Sequence, residues 1–587
     1  MPLRWRQRQT LAGREPAALA AWADELHISD FLARLLWHRG QTTPEDMEIF
    51  LSPGLRHLPP LEKWPDLIHC ARLLAGELTP DRTVAIWGDY DADGITASAI
   101  LIEFLRKRGI ATLSHIPERL HQGYGLNQEG LQNLKARGAD VVITVDCGIS
   151  NIEEVEAARE MGLQIFVTDH HLPGRELPGA RAIVNPCLGE CPYPQASGAA
   201  VAFLLAAALN RMLPGEPVDI RDYLDLAALG TIADIVELNI TNRILVKNGL
   251  LCLSEARRPG IFALKEISKL PPTAPMGSGQ VSFGLAPRIN AAGRMGSPEQ
   301  ALQLLLAPDL STARPLAAEL EKHNLERRRV EKKTIEAAAQ QAESMPEALG
   351  LVLYHQDWHK GIVGIAASRV VEQFNRPALL LTRDGDRLTG SGRSIADFDL
   401  YQGLQACSHL LLNFGGHRMA AGLSLQESSL QELREAFNHS VQQSFGEGMP
   451  PPAVDLDAGL DLGRVDLNLV QELDLLQPFG QGNPQPVFWS APLQVKKHRF
   501  FGQNHVSIEV WDHRAGVNML GKAWRQAQSL GPEVRGQEVV LAFTPRLNHY
   551  NGLTSIDLQI RDWKKAEDGD RRSDVGGQSW SGQGTQS

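Results

Sequence analysis

The sequence predicts an α/β protein built around a parallel β-sheet, and two observations carry that prediction. Between residues 83 and 186, short apolar stretches alternate with amphipathic helical stretches, a pattern typical of a parallel sheet covered on both faces. Three of the apolar stretches end in acidic or imidazole-bearing runs, which are GDYDADG at 88–94, VDCG at 145–148 and TDHH at 168–171. Parallel sheets bind ligands beyond the carboxyl ends of their strands, so the three runs are expected to share one crevice.

The individual elements of this sheet follow from the same alternation. The predicted strands are 83–88, 111–117, 139–146, 163–169 and 182–186. The predicted helices between them are 95–109, 127–138 and 151–162.

The length of the chain favours several domains over a single core. Changes in the pattern of apolar and polar residues along the sequence indicate where the other domains begin and end. A long charged helix within 320–343 is expected to join the first domain to a second, smaller α/β unit that starts near 350. Five β-like stretches near the C-terminus are typical of a small barrel of OB type. The predicted segments are a helical lead-in at 1–75, the parallel-sheet domain at 76–265, a connecting segment with the long helix at 266–345, the smaller α/β domain at 346–448, the barrel at 452–565 and a disordered tail at 566–587.

Composition narrows the function classes. The net charge of −11 gives no general attraction to a polyanion, so any binding of nucleic acid requires a local basic groove. Six sparse cysteines do not resemble a disulfide framework and favour a reducing compartment. We expect neither a signal peptide nor a segment long enough to cross a bilayer. These features predict a cytoplasmic protein.

The acidic runs contain a candidate metal centre. Asp89, Asp91 and Asp93 alternate, so on an extended loop all three side chains would face one site. Asp146 ends the third strand, and Asp234 is a lone acid in an apolar run. Carboxylates suit Mg²⁺ and Mn²⁺, and a pair of such ions is suited to the hydrolysis of phosphoesters.

Imidazoles complete this constellation. Asp169, His170 and His171 end the fourth strand, and Mn²⁺ also accepts imidazole ligands. Each motif alone has a simpler explanation. DxDxDG also occurs in calcium loops and solvated turns, vicinal histidines are often ordinary neighbours, and Asp234 alone is compatible with a helix cap. The occurrence of compatible ligands at separate strand ends on one face favours the metal centre.

These motifs resemble those of a known family. GDYDADG, VDCG, TDHH and ADIV are similar to the successive motifs of the DHH phosphoesterase superfamily, and SGRS and FGGHRMAAG are similar to its DHHA1 companion domain. Together with PERLHQGYGLN at 117–127, GLAPRINAAGR at 284–294 and the C-terminal barrel, they resemble the single-stranded-DNA exonucleases of that superfamily. The resemblance extends from about residue 30 to 565, so that 76–265 corresponds to the DHH domain and 346–448 to the DHHA1 domain.

The resemblance implies roles for the site residues. Asp91 and Asp93 would bind metal, Asp146 would bridge two Mg²⁺ or Mn²⁺ ions, and His170 and Asp234 would complete the second ion's site. His171 would contact the scissile phosphate. Asp169 is expected to orient the histidines, and the role of Asp89 is left open.

One position departs from the family pattern. Many DHH phosphatases carry a histidine four residues before the first metal-binding aspartate, and Trp87 stands there in this chain. The first ion would therefore lose an imidazole ligand. We expect a weaker first site and a preference for Mg²⁺.

The resemblance further implies a 5′→3′ exonuclease that degrades single-stranded DNA to mononucleotides in repair and recombination, with a single-strand-binding protein and a helicase as partners. The family's motifs assign the 5′ end and the strand beside it to Arg119, Arg288, Ser391, Arg393 and His417. In the barrel, basic residues interleaved with aromatic ones suit a surface that follows a single strand. The candidates named there are Lys496, Arg499 and Phe500.

Two alternatives stay open at this stage. A phosphatase or oligonucleotide phosphodiesterase of the same superfamily would use the same ligands, although the extra barrel and the chain length argue against it. A non-catalytic DNA-binding scaffold would be expected to have lost its carboxylates. Here the six candidate ligands and catalytic groups are all retained: Asp91, Asp93, Asp146, His170, His171 and Asp234.

Overall fold

The parallel sheet of the DHH region is formed as predicted. The structure is a computed structural model that describes residues 3–8, 13–79, 81–118, 122–446, 448–550 and 553–566. One strand and three α-helices are described before the sheet domain, and they are β1 (Arg4–Gln7), α1 (Leu19–Glu25), α2 (Asp30–His38) and α3 (Pro44–Leu51). The sheet domain itself begins with α4 (Pro65–Glu77), β2 (Thr83–Gly88), α5 (Ala92–Lys107), β3 (Ala111–His115), α6 (Gln128–Ala136), β4 (Val141–Val145), α7 (Ile152–Glu160), β5 (Gln164–Thr168) and β6 (Ala182–Val184).

All neighbouring strands in this sheet are parallel, in the order β3-β2-β4-β5-β6. Successive side chains of a strand point to opposite faces. Val84 and Ile86 of β2 accordingly join a large core on one face, and Ala85 and Trp87 join a smaller core on the other. Both faces are therefore covered, and the strand ends are left as the place where polar groups collect.

Helices continue the domain and form the larger core. They are α8 (Gly198–Met212), α9 (Leu224–Ala233), α10 (Ile240–Glu255) and α11 (Pro259–Ile267). The connecting segment contains α12 (Ser278–Gln280), a π-helical turn at Val281–Leu285, α13 (Ala286–Met295), α14 (Glu299–Leu305) and α15 (Leu310–Glu343). The long helix α15 thus begins well before the charged stretch that predicted it, because Asp309 caps its first turn by accepting a hydrogen bond from Thr312 N at 2.8 Å.

The second α/β region has a mixed sheet. Its elements are β7 (Leu351–Tyr354), α16 (Lys360–Phe374), β8 (Ala378–Asp384), β9 (Arg387–Arg393), α17 (Leu400–Ala406), β10 (Asn413–Gly416), β11 (Ala420–Gln426) and α18 (Leu430–Phe445). The strand order is β10-β11-β9-β8-β7, in which only β7 and β8 run parallel.

The C-terminal strands close on themselves. The elements are β12 (Ala453–Leu456), β13 (Ala458–Gly459), α19 (Leu467–Leu475), β14 (Phe488–Trp489), β15 (Leu493–Phe501), β16 (His505–Asp512), β17 (Val517–Ala523), β18 (Glu538–Tyr550) and β19 (Leu553–Lys565). Because β19 pairs with both β17 and β18, while β15 pairs with β16 and β18, the five long strands complete a ring. This closure confirms the predicted OB-type barrel.

The chain divides into two compact units. One comprises Met1–Pro53, Pro451–Phe479 and Asn483–Ser587, and the other comprises Gly54–Pro450 and Gly480–Gly482. In the first unit β1 pairs in parallel with β12, and the buried side chains of α2 share a core with those of the barrel. The first three helices therefore pack with the barrel, a partner that the sequence analysis did not assign.

Two sequence-based expectations can be compared only with the residues that the structure describes. The predicted tail lies outside them, apart from its first residue. Within the described part of the chain, no helix combines the length and the apolar character needed to cross a membrane.

The core of the DHH region yields a stability prediction. Leu101 on α5 is completely buried, whereas Leu251 on α10 is mostly exposed. We expect Leu101→Ala to lower the free energy of unfolding by about 2–5 kcal/mol, because the change removes buried methyl groups and leaves a cavity. Leu251→Ala is the matched control and should stay within about 0.5 kcal/mol of the wild type. Thermal and urea unfolding measure both values, and equal losses would contradict this assignment of the core.

Candidate active site

The first acidic run is shaped by the start of α5. Asp91 is the N-cap residue of this helix and accepts hydrogen bonds from Asp93 N at 2.9 Å and Gly94 N at 3.1 Å. Asp93 therefore lies in the first turn of α5. The prediction that Asp89, Asp91 and Asp93 lie on one extended loop is wrong, because helix α5 begins before the third aspartate, with Asp91 as its cap.

Asp93 is held by the N-terminus of another helix. Its carboxylate is buried and accepts hydrogen bonds from Gly198 N at 2.6 Å and Ala199 N at 3.0 Å, both in the first turn of α8. Such amides favour a negative group. A Cβ at Gly198 would lie 2.6 Å from Asp146 Cβ, and one at Gly230 would overlap Asp93 Oδ1. The two glycines therefore allow α8 and α9 to approach the strand ends.

Asp146 lies directly after β4 in a left-handed conformation, with φ 62°. Its side chain is buried, and its Oδ1 lies 2.9 Å from His170 Nε2. A non-glycine residue in this conformation is uncommon, although aspartate tolerates it better than most. Asp234 reaches the same place from the C-terminal end of α9, where its Oδ2 lies 3.6 Å from His170 Nε2.

Asp169 organises the two histidines. It is buried, and its Oδ1 accepts hydrogen bonds from His170 N at 2.7 Å and His171 N at 3.1 Å, and lies 2.8 Å from His171 Nδ1. Tyr124 adds a second contact, because its hydroxyl lies 3.0 Å from His171 Nδ1 and donates to Asp146 O at 3.2 Å. Sequence reasoning did not single out Tyr124, although its motif was part of the family resemblance.

The side chains from these strand and helix ends form overlapping groups of possible ligands. In each group the ligand atoms lie within 4.8 Å of one another. The first triple is Asp89, Asp91 and Asp146, and the second triple is Asp93, His170 and Asp234. A third group joins Asp146 to both histidines. Asp89, whose role was left open, thus lies with the predicted ligands.

Burial and mutual repulsion raise the pKa values of three carboxyl groups in the site. Burial, followed by the charge of Asp91, raises the pKa of Asp93 to about 7. Burial, followed by Asp93, raises the pKa of Asp234 to about 9 and holds that of Asp146 well above its usual range. Like charges in a buried site cannot all ionise without a compensating cation.

The pKa values of the two histidines are shifted in opposite directions. Burial, followed by the neighbouring His171, lowers the pKa of His170 to about 4, so this imidazole is neutral and able to bind a metal. Burial alone would also lower the pKa of His171. The hydrogen bond and the charge of Asp169 outweigh that effect and raise it to about 9, so this ring favours the imidazolium form.

The donor set fits a pair of divalent cations. Asp146 Oδ1 and His170 Nε2 are buried, and neither makes a well-formed hydrogen bond to a residue that the structure describes. The two atoms lie 2.9 Å apart, and the carboxylate oxygens of Asp93 and Asp234 lie 3.8 and 3.6 Å from the same imidazole nitrogen. Carboxylate oxygens with a neutral imidazole suit Mg²⁺ or Mn²⁺.

Trp87 takes no part in this crevice. Its side chain is completely buried and packs on the ring of His115, with centroids 4.1 Å apart. A Cβ at Gly130 would overlap the indole, so a glycine makes room for it. The position at which many relatives carry a histidine therefore serves the core in this chain.

The candidate 5′-end residues of the DHHA1 region lie on neighbouring strands. Ser391 and Arg393 are on β9, and Arg393 Nη1 donates to Ser391 Oγ at 2.9 Å. A Cβ at Gly364 in α16 would lie 3.1 Å from Arg393 and 3.2 Å from Ser391 Oγ, so the helix packs directly against the pair. His417 is exposed and follows β10, where its N donates to Ala420 O at 2.8 Å.

Arg288 is held more tightly than expected of a free phosphate ligand. Its side chain is largely buried on α13, with Nε 2.6 Å from Glu321 Oε2 and Nη1 donating to Gly284 O at 2.5 Å. Arg119 lies outside the described residues. Burial lowers the pKa of Arg327, and Arg288 and Arg369 add to that effect. This gathering of guanidinium groups was not identified from the sequence.

Helix α13 links the two α/β regions. Asn290 Oδ1 accepts a hydrogen bond from Ala92 N at 2.8 Å, and Gly293 packs against the carbonyl of Tyr90 in the first acidic run. Arg294 Nη1 donates to Gly361 O at 2.7 Å, at the start of α16. One helix thus positions both the metal-binding loop and the DHHA1 helix behind Ser391.

The barrel carries the predicted basic and aromatic side chains on β15. Lys496, Arg499 and Phe500 are exposed there. Trp524, which the sequence analysis missed, is half exposed and contacts Phe501, with ring centroids 5.3 Å apart. These aromatic rings suit stacking against bases.

Comparisons with known proteins fit this architecture. The DHH family N-terminal domain matches residues 83–231, the DHHA1 domain matches 348–443 and the RecJ OB domain matches 456–562. The chain is 34% identical over 582 residues to the single-stranded-DNA-specific exonuclease RecJ of Salmonella typhimurium, covering 95% of this chain and 99% of that protein. The chain belongs to the RecJ family.

Other RecJ proteins agree with this assignment. The RecJ of Thermus thermophilus is 36% identical over 560 residues, which is 94% of this chain and 78% of that protein. Its crystal structure in complex with Mn²⁺ matches with a TM-score of 0.82 at 33% identity, covering 96% of this chain and 80% of that one. Its complex with Mg²⁺ gives a TM-score of 0.77 at 31% identity, covering 96% of this chain and 79% of that one.

Replacement of Asp146, which belongs to two of the groups of possible ligands, should abolish metal binding without unfolding the protein. Mn²⁺ at 100 times its dissociation constant should stabilise the wild type by about 2.7 kcal/mol. Asp146→Asn should lose this gain, and its metal-free form should be at least as stable as the wild type, because one buried charge is removed. The exposed Glu153→Gln on α7 is the control. Thermal unfolding with and without Mn²⁺ measures the effect, and a full gain in Asp146→Asn would contradict the assignment.

The raised pKa values predict how the stability of the metal-free protein depends on pH. Asp93, Asp234 and His171 have folded-state pKa values of about 7, 9 and 9, all above their unfolded values. The folded state therefore binds more protons between about pH 6.5 and 8, and its stability should fall as the pH rises. Each proton of difference contributes about 1.4 kcal/mol per pH unit.

Urea unfolding in a chelator across this pH range measures the slope. Asp234→Asn removes one of the three groups and should flatten it. A stability that stays constant or rises from about pH 6.5 to 8 would contradict the assigned pKa shifts.

Proposed function

We propose that this RecJ-family protein is a metal-dependent exonuclease that degrades single-stranded DNA from its 5′ end to mononucleotides. The observation that carries the proposal is the convergence of the two ligand triples in one largely buried crevice. The RecJ proteins that it resembles are named as single-stranded-DNA-specific exonucleases. Metal dependence follows because so many acids in one crevice require cations before a phosphate can approach.

The ligand triples have distinct parts in the proposal. The first triple would hold one Mg²⁺ or Mn²⁺ ion and the second triple the other, with Asp146 shared between them. Bound there, the two ions would supply charge for the phosphodiester oxygens, activation of the attacking water and stabilisation of the leaving oxygen. Asp89 would take the place of the missing imidazole ligand in the first triple, since the side chain of Trp87 is buried in the core.

His171 is proposed to donate a hydrogen bond to the scissile phosphate. Its imidazolium form is favoured, so a charge-assisted bond to a phosphate oxygen is available. Asp169 and the Tyr124 hydroxyl both contact Nδ1 and fix the ring, which leaves Nε2 as the donor to substrate.

The preference for a 5′ end is proposed to come from the DHHA1 side. Ser391 and Arg393 would bind the terminal phosphate, since an arginine fork matches phosphate geometry. Arg119 and Arg288 are proposed to assist, and His417 would contact the strand nearby. Because α13 contacts both regions, it would hold the bound 5′ end at a set distance from the metals.

Two further parts of the proposal concern how the protein binds DNA beyond the cleavage site and what role it has in the cell. Lys496, Arg499 and Phe500 would follow the strand by charge and base stacking. From the family resemblance we place the enzyme in the cytoplasm, in DNA repair and recombination, with a single-strand-binding protein and a helicase as partners.

Digestion of end-labelled strands tests the activity and its direction. With Mg²⁺ or Mn²⁺, a label at the 5′ end should be released as a mononucleotide in the first turnovers. A strand labelled at its 3′ end should become progressively shorter and keep its label. Arg393→Ala should raise KM for a 5′-phosphorylated strand, because a charged phosphate contact is lost, while Arg387→Ala on the exposed end of β9 serves as its control.

The same assay separates the competing activities. Turnover of dinucleotides but not of long strands would favour an oligonucleotide phosphodiesterase. Tight binding of DNA without hydrolysis in either metal would favour a non-catalytic scaffold.

A further inference from the structure

Two large apolar side chains are exposed at positions that directly follow residues of the candidate site. Leu172 directly follows His171 and is 60% exposed, and Ile235 directly follows Asp234 and is 69% exposed. The preceding residues belong to one cluster, since His171 Nδ1 lies 3.9 Å from Asp146 Oδ1 and Asp234 Oδ2 lies 3.6 Å from His170 Nε2. We call Leu172 and Ile235 the apolar rim. Apolar groups of this size next to metal ligands have no attraction for phosphate or for the cations.

Ile235 also has a backbone conformation that does not suit its side chain. It follows the C-cap residue of α9 with φ 58°, a position where glycine is the usual residue. Helix α16 ends in the same conformation with Asn375, φ 52°, which tolerates it better. A β-branched residue with positive φ is an outlier that disfavours folding. Because Ile235 is mostly exposed, burial does not compensate for the strain, and strain of this kind accumulates at functional sites.

A nucleic acid offers such side chains one kind of partner. If a phosphodiester occupies the crevice, the sugars on either side of it would come within reach of the exposed residues that directly follow His171 and Asp234. An apolar side chain can pack against the C–H groups of deoxyribose. A ribose 2′-hydroxyl in that place would lose water and gain no hydrogen bond, which is unfavourable.

We propose that the apolar rim selects deoxyribose over ribose at the nucleotide being cleaved, an inference that rests on the proposed function. Ile235 is the principal residue of the rim. Its unfavourable backbone conformation is explained if its side chain contacts the sugar of the bound strand. A hydrophobic contact of this type discriminates against an added hydroxyl by up to about 100-fold. The rim therefore contributes to specificity for DNA and leaves the chemistry of cleavage unchanged.

The test compares a 5′-phosphorylated DNA strand with an RNA strand of matching sequence. Ile235→Asn tolerates the left-handed conformation and supplies an amide for the 2′-hydroxyl, so the ratio of kcat/KM for DNA to that for RNA should fall by about tenfold or more. Ile235→Gly should lower the ratio less and should raise Tm, because it relieves the strain. Leu251→Asn, an exposed leucine on α10 in the same domain, should leave both values unchanged.

The outcomes separate the rim from the wider proposal. An unchanged DNA-to-RNA ratio in active Ile235→Asn and Ile235→Gly would overturn the rim, as would a wild type that degrades both polymers equally. If the Ile235 variants fail to fold, Leu172→Asn decides by the same ratio. A wild type that degrades neither polymer would instead refute the proposed function itself.

Discussion

The structure depends on one electrostatic constraint, which is the gathering of carboxylates in a crevice that is mostly closed to water. Asp93 and Asp146 are buried, and Asp234 is close to both. Such a cluster disfavours its own ionisation unless positive charge is bound. The raised pKa values of the carboxyl groups and the unsatisfied Asp146 oxygen follow from this condition. His170 is neutral for a different reason, because burial and the neighbouring His171 lower its pKa.

Asp169 shows the contrast within the same site. It is as buried as Asp146, yet hydrogen bonds from His171 and from backbone amides outweigh the effect of burial and lower its pKa. The protein itself therefore satisfies Asp169, which makes it a support for the histidines. Among the described residues, Asp146 receives no comparable set of donors. This difference separates an orienting carboxylate from a ligand on physical grounds, and it agrees with the family-derived roles.

Much of the fold was predictable because it follows from local patterns. Continuous apolar stretches between amphipathic helices predicted the parallel sheet, and the position of the acids after those stretches predicted that they would meet. The sequence did not reveal how the acids divide into triples, since this depends on the capping turn at Asp91 and the left-handed turn at Asp146. The approach of α8 to Asp93 and the pairing of β1 with β12 involve residues far apart in the chain, and no local signal marks either.

The proposed activity requires that the acids and imidazoles hold two cations around Asp146. Anomalous diffraction from crystals grown with Mn²⁺ tests it most directly. Two peaks should appear about 3.5–4 Å apart, one beside Asp89 and Asp91 and the other beside Asp93, His170 and Asp234, with Asp146 between them. A single peak away from Asp146, or no peak in this crevice, would contradict the binding of two cations around Asp146.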